Sequence, residues 1–194
     1  MRYLTLVLLI FYFTSCAKDD NKSDSSTSAT VLEGTWVTAC EVNSSDNSSY
    51  NITDVFSGNN VVTTWNYFSD NSCTASTKYT STEINSTISI GDDKTLDDGT
   101  IATKFLATLG KYYLTPHTDV QATSYNTGSH CGKNNWIKDT KNQINGANCN
   151  GTVQFSEGTV VYVVFRIVDG KTFSSGSDLT DYPSSLDNTT YTKQ

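Results

Sequence analysis

The stretch Ser49–Phe68, SYNITDVFSGNNVVTTWNYF, decides the fold. In its first half Tyr50, Ile52, Asp54 and Phe56 alternate onto one face, the period-two pattern of a half-buried strand. Ser57-Gly58-Asn59-Asn60 is turn chemistry. In the second half Val61, Thr63, Trp65 and Tyr67 share a face. The two halves therefore read as an antiparallel hairpin.

Downstream, Asp70-Asn71-Ser72-Cys73 turns the chain again, and Thr74–Glu83 and Asn85–Ile90 read as two strands rich in Thr and Ser. One side of these strands must face water, which antiparallel sheets allow. Gly91–Gly99 (GDDKTLDDG) is an acidic loop. Ile101–Leu109 and Lys111–Thr115 read as strands around a bulge or corner at Gly110, and Val120–Tyr125 as a further strand. Asn134–Ile144 places Trp136, Thr140 and Ile144 at helical spacing, and its composition also allows a strand. An irregular or one-to-two-turn helical segment is expected there. The strongest strand, VVYVVFRIV, lies within Gly158–Val168 and is apolar on both faces, so it belongs centrally. Asp169-Gly170 has the composition of a type I′ hairpin turn, with the chain returning through Lys171–Ser175. The polar end, Asp181–Gln194, is expected to lie extended over the outside of the sheet. Upstream, Val31–Cys40 carries Gly34-Thr35-Trp36 on an opening strand. About eight to ten short antiparallel strands with close turns define an all-β fold, a barrel or a sandwich. A single barrel over residues 31–194 is the expectation.

The first twenty residues, MRYLTLVLLIFYFTSCAKDD, have the charged start, short apolar run and small-residue exit of an export signal. The run is shorter than the roughly 20 apolar residues that span a bilayer. Cys16 at the exit resembles the acylated cysteine of a bacterial lipobox, although Phe13 stands where that motif carries Leu. The resemblance implies a signal peptide over residues 1–15 and a lipidated Cys16 that joins the chain to the bilayer. Residues 16–30 then form a flexible tether, AKDDNKSDSSTSAT after the cysteine. Two or more acyl chains, at about 0.8 kcal/mol per buried CH₂, suffice for stable anchoring. Ala17 in place of Asp after the cysteine implies the outer membrane in a Gram-negative cell. Simple secretion with cleavage after Ala17 is the rival reading.

Setting Cys16 aside leaves Cys40, Cys73, Cys131 and Cys149. Four cysteines in an exported chain read as two disulfides with three connectivities. The pairing 40–73 with 131–149 is favoured, the second fixing the loop between its cysteines at about 3 kcal/mol. No C-x₂-C pair is present to suggest zinc. The net charge is −7 with no basic stripe, which argues against nucleic acid and against anionic lipid headgroups as a docking surface.

Gly34-Thr35-Trp36 resembles the G-x-W of lipocalins and of bacterial lipocalin-like lipoproteins. In that family the Trp closes the barrel floor beneath an Arg from a late strand. The matching pair here is Trp36 and Arg166. The family's T-D-Y motif precedes that Arg, whereas Thr180-Asp181-Tyr182 follows it. More broadly, the cysteine spacing, Cys131-Gly132 with Trp136, and the closing Pro183-Ser184-Ser185-Leu186-Asp187 with Tyr191-Thr192-Lys193 resemble uncharacterised exported bacterial lipoproteins. The lipocalin resemblance implies a cavity for a small hydrophobic molecule, with Trp65, Tyr67 and Phe105 as its candidate lining. Trp36, Tyr50, Phe56, Tyr162 and Phe165 are further aromatics of the same kind; plain core packing is the favoured account of such residues.

Other chemistry is thin. No G-x-S-x-G is present. His117, with Asp119 two residues on, offers the base and acid of a hydrolytic triad, but no serine stands out. His130 adjoins Cys131, which a disulfide would make inert. Asp92, Asp93, Asp97 and Asp98 could hold Ca²⁺, yet lack EF-hand spacing and read as a solvated turn. The Asn-x-Ser/Thr triplets carry no glycan expectation in a bacterial lipoprotein. The reading is a non-enzymatic, membrane-anchored barrel that binds a small hydrophobic molecule, with no cofactor and no metal. The alternative is a structural or adhesin-like envelope protein with an exposed aromatic patch.

Overall fold

A computed structural model describes residues 29–194. The expected signal peptide, Cys16 and nearly all of the tether lie outside the described residues. A single helical turn, α1 (Ala29–Leu32), leads into β1 (Gly34–Thr38) and the short β2 (Glu41–Asn43). The quoted hairpin follows as β3 (Ser48–Ser57) and β4 (Asn60–Phe68). Next come two long strands, β5 (Lys78–Thr95) and β6 (Ile101–Pro116). An excursion then carries α2 (Asp119–Thr127), β7 (Asn142–Gln143), β8 (Asn148–Cys149) and β9 (Thr152–Val153). The chain ends with β10 (Val160–Val168), β11 (Thr172–Asp178) and β12 (Thr190–Lys193).

Eight of these strands close into an antiparallel barrel, in the order β1-β3-β4-β5-β6-β10-β11-β12 and back to β1. Each barrel strand is therefore paired with the next barrel strand along the chain. Closure gives every barrel strand a partner on both sides. The hairpin forms in the expected register, with Ser57 paired to Asn60 and Tyr50 to Tyr67. Asp169 and Gly170 both have the positive φ, 55° and 65°, that a type I′ turn requires.

Four expectations change. The two Thr/Ser-rich strands are one 18-residue strand, β5, that also takes in the first half of the acidic loop. The pair around Gly110 is likewise one strand, β6, with the register shift facing Ile84/Ser86. Val120–Tyr125 is helix, not strand: Thr118 caps α2 by accepting the amide of Gln121 at 3.0 Å. Thr118 and Gln121 stand at capping-box spacing, a local signal that outweighs the β propensity of Val120 and Tyr125. Finally, only part of the tail lies over the outside. Tyr182 and Leu186 pack with Leu96, Ala102 and the fully buried Val164 on the outer face of the sheet. Thr190–Lys193 instead becomes β12, the strand that closes the barrel. Its four residues are too polar to show an alternating pattern.

The outer clamp depends on Gly176, where an added Cβ would sit 2.3 Å from the Ser185 carbonyl oxygen. Gly176→Ala is expected to lower stability by about 1–3 kcal/mol by pushing the tail off the sheet, measured by urea denaturation.

The main core fills one end of the barrel, with Leu32, Trp36, Phe56, Phe105, Phe165, Phe173 and neighbours interdigitating. A second small core holds the excursion in place, where Leu114, Ala122, Trp136 and Ile144 pack around Cys131. Both favoured disulfides are formed, Cys40–Cys73 and Cys131–Cys149. The first ties the break between β1 and β2 to the β4–β5 connection. The second pins the turn after α2 to β8.

Candidate functional site

The alternation of the strands decides which side chains enter the barrel. On β3 these include Asp54 and Phe56, on β4 Val61, Thr63 and Trp65, and on β10 Val161 and Val163. Within the core these faces leave a cavity of about 180 Å³, lined in part by core residues such as Phe56, Phe105 and Phe173. Its aromatic wall is Phe56, Trp65, Phe105, Phe173 and Tyr191; its hydroxyls come from Thr63, Ser86, Ser175 and Ser177. Asp54 is its one charged lining residue. An eight-stranded barrel is about wide enough for side chains to fill or for one small ligand.

Of the expected lining, Trp65 and Phe105 face the cavity. Tyr67 does not line it: it lies one step further along the same face, with its ring 6.3 Å from that of Tyr50. Trp36 and Phe165 belong to the packed core. Tyr162 points outward, edge-on to Tyr182, because β10 sends Val161 and Val163 inward on either side of it.

The barrel floor is built around Trp36, which is 0% exposed. Its Nε1 donates to the Leu32 carbonyl at 2.7 Å, which ties the end of α1 to β1. The cation over its ring is Lys193, with Nζ 5.2 Å from the centroid. Arg166 does not reach it: Phe165 on one side of it enters the core, which leaves Arg166 exposed on the outer face. Lys193 is the direct cross-strand partner of Trp36. Gly34 makes room for it, since a Cβ there would meet the Lys193 stem at 3.2 Å, and its φ of +115° suits glycine.

Asp54 is the group that the sequence showed without revealing its role. It is 7% exposed, and its Oδ1 has no hydrogen-bond partner. Burial pushes its carboxyl up to about 6, and a hydroxyl interaction with Thr63 opposes the shift. Burial also raises the Tyr191 hydroxyl, with the Asp54 carboxylate as the next cause, so this phenol stays neutral. An acid on a face otherwise made of Tyr50, Ile52 and Phe56 was the available signal.

His117 does find a serine, although not through Asp119. Its Nε2 shares a hydrogen bond with Ser81 Oγ at 2.8 Å, and its Nδ1 meets Asp139 Oδ1 at 2.9 Å. The connectivity is that of a hydrolytic triad, but Ser81 is only 9% exposed, on a strand beneath the excursion. The arrangement instead pins that excursion to β5, together with the Asp139 amide donating to the Pro116 carbonyl. His117→Ala is expected to cost about 1–2 kcal/mol in urea denaturation. A serine-directed phosphonate should leave Ser81 unlabelled.

The remaining candidates are occupied locally. Asp93 accepts from Thr103, and Asp98 accepts from the amide and hydroxyl of Thr100. Among the described residues the one trio of metal-ligand types within reach of one another is His130, Cys131 and Cys149. Its two sulfurs are already bonded to each other. The His130 ring stacks on Tyr125 at 4.3 Å. No protein-family model matches the chain, and no curated protein matches it.

Proposed function

We propose that this chain is an exported, lipid-anchored binding protein of lipocalin-like build that holds one small molecule inside its barrel. The observation that carries the reading is the cavity of about 180 Å³ inside the barrel, walled by five aromatic side chains. A cavity of about 150 Å³ is enough for a benzene-sized guest. The next-neighbour order of the closed barrel and the placement of Trp36 beneath a cation support the lipocalin comparison, with Lys193 in the role first expected of Arg166. Against the adhesin-like alternative, Phe155 is the only exposed aromatic among the described residues, the others there being buried or half-buried, which speaks against a broad exposed aromatic patch on this part of the chain.

The anchoring part of the proposal rests on the lipobox at Cys16. Cys16→Ser is expected to abolish palmitate labelling and to release the protein from the membrane fraction. Continued membrane association without label would overturn the anchor. The binding part is tested by titrating toluene and following the methyl resonances of Ala107 and Val163. Saturable shifts confined to the cavity methyls are expected; no shift at these methyls would count against the cavity as a binding site.

A further inference from the structure

The cavity's polar content is one-sided. Asp54 is the only charged lining side chain, and the remaining polar groups there are Thr63, Ser86, Ser175 and Ser177 hydroxyls, the Tyr191 phenol and the Trp65 indole. No lysine, arginine or histidine lines the cavity to receive an anion. A buried carboxylate oxygen without a donor is costly to keep, and here it is Oδ1 of Asp54, buried beside that space. Phe56, Trp65, Phe105 and Phe173 supply ring faces around the same space, and ring faces attract cations.

We propose that the cavity takes a compact guest of about one ring that carries a protonated nitrogen, held against the free oxygen of Asp54, and that it rejects carboxylates such as free fatty acids. This deepens the binding reading and rests on it. The ammonium supplies the donor that Asp54 lacks, and the aromatic wall covers the apolar part of the guest. The hydroxyls of Ser175 and Ser177 can accept its remaining N–H groups. A carboxylate guest would meet Asp54 as a like charge with no cation among the lining side chains to offset it. The nearest cation along the sheet is Lys193, paired with Trp36, which is itself the cross-strand partner of Asp54. Its ammonium lies over the Trp36 ring and does not line the cavity. The acids Glu41 and Asp187 act on the neighbouring Tyr191, and Tyr191 itself is held neutral.

The experiment compares three guests of one shape on the full, oxidised chain at pH 7.5: benzylamine, benzyl alcohol and benzoate. Binding is followed by the Ala107 and Val163 methyl shifts. Benzylamine is expected to bind about 10–100-fold more tightly than benzyl alcohol, and benzoate more weakly than either. In Asp54→Asn the benzylamine advantage should vanish while benzyl alcohol still binds, which shows that the cavity is intact. Equal affinity for benzylamine and benzyl alcohol in the unaltered chain would overturn the proposal and leave the cavity reading standing. An advantage that survives Asp54→Asn would also overturn it. Failure of all three guests would overturn the cavity reading itself.

Discussion

Trp36→Ala is expected to lower the unfolding free energy by about 3–5 kcal/mol, the range for truncating a large buried aromatic. Three connections break at once. The indole is fully buried against Phe173, with ring centroids 5.7 Å apart. Its N–H is the donor to Leu32, a residue that is itself 0% exposed. Its face carries the Lys193 ammonium, a contact worth about 0.5–1 kcal/mol at an exposed site. For a domain of this size the loss corresponds to a fall in Tm of about 6–20 °C. Trp36→Phe should cost less, since it keeps most of the packing and loses mainly the N–H donor to Leu32. Equal costs for the two variants would mean that the hydrogen bond, and not the packing, holds the floor. Lys193→Ala should cost no more than about 1 kcal/mol.

Asp54→Asn should act in the opposite direction and stabilise the ligand-free protein, by about 3 kcal/mol at pH 8. The carboxyl titrates at about 6 in the folded chain against 3.8 for the unperturbed group. Between those values the folded state binds more protons than the unfolded state, so stability falls as pH rises. The penalty is absent well below pH 4, grows from there to about pH 6, and is constant above that. At 1.36 kcal/mol per pH unit, the two-unit gap gives about 3 kcal/mol. Asn removes the charge and keeps the shape, so its advantage should be well under 1 kcal/mol at pH 4 and nearly complete at pH 8. Comparing the two proteins isolates Asp54, because exposed carboxyls such as Asp70 and Asp98, held low by hydroxyl and amide donors, titrate alike in both. Urea denaturation at the two pH values is the measurement. A constant difference between the proteins would show that Asp54 titrates in the folded chain as it does in the unfolded one, so that its burial does not oppose ionisation.

The two predictions concern residues of different legibility. Trp36 was expected at the floor only through the resemblance of Gly34-Thr35-Trp36 to lipocalins, whereas the inward faces of β3 and β4 followed from strict alternation. The face carrying Asp54 was therefore legible, but the missing partner of its oxygen was not, because pairing depends on strands far apart in sequence. The same limit applies to His117, whose partners Ser81 and Asp139 lie 36 and 22 residues away. Arg166 was expected over Trp36 because the lipocalin resemblance calls for an Arg from a late strand, yet that strand's own alternation turns it outward. Lys193 does the work from a four-residue polar strand with no hydrophobic pattern to announce it. α2 was hidden by β-branched and aromatic residues, although the Thr118 cap with Gln121 three residues on was there to be read.

Native mass spectrometry, on the chain isolated with its disulfides from the cells that make it, tests the central claim that the barrel interior is a binding site. One extra mass per chain, lost on denaturation and restored by adding a single-ring amine such as benzylamine, is the predicted result. A bare chain that stays bare in excess benzylamine and toluene would contradict the claim, and would leave a sealed structural barrel in its place.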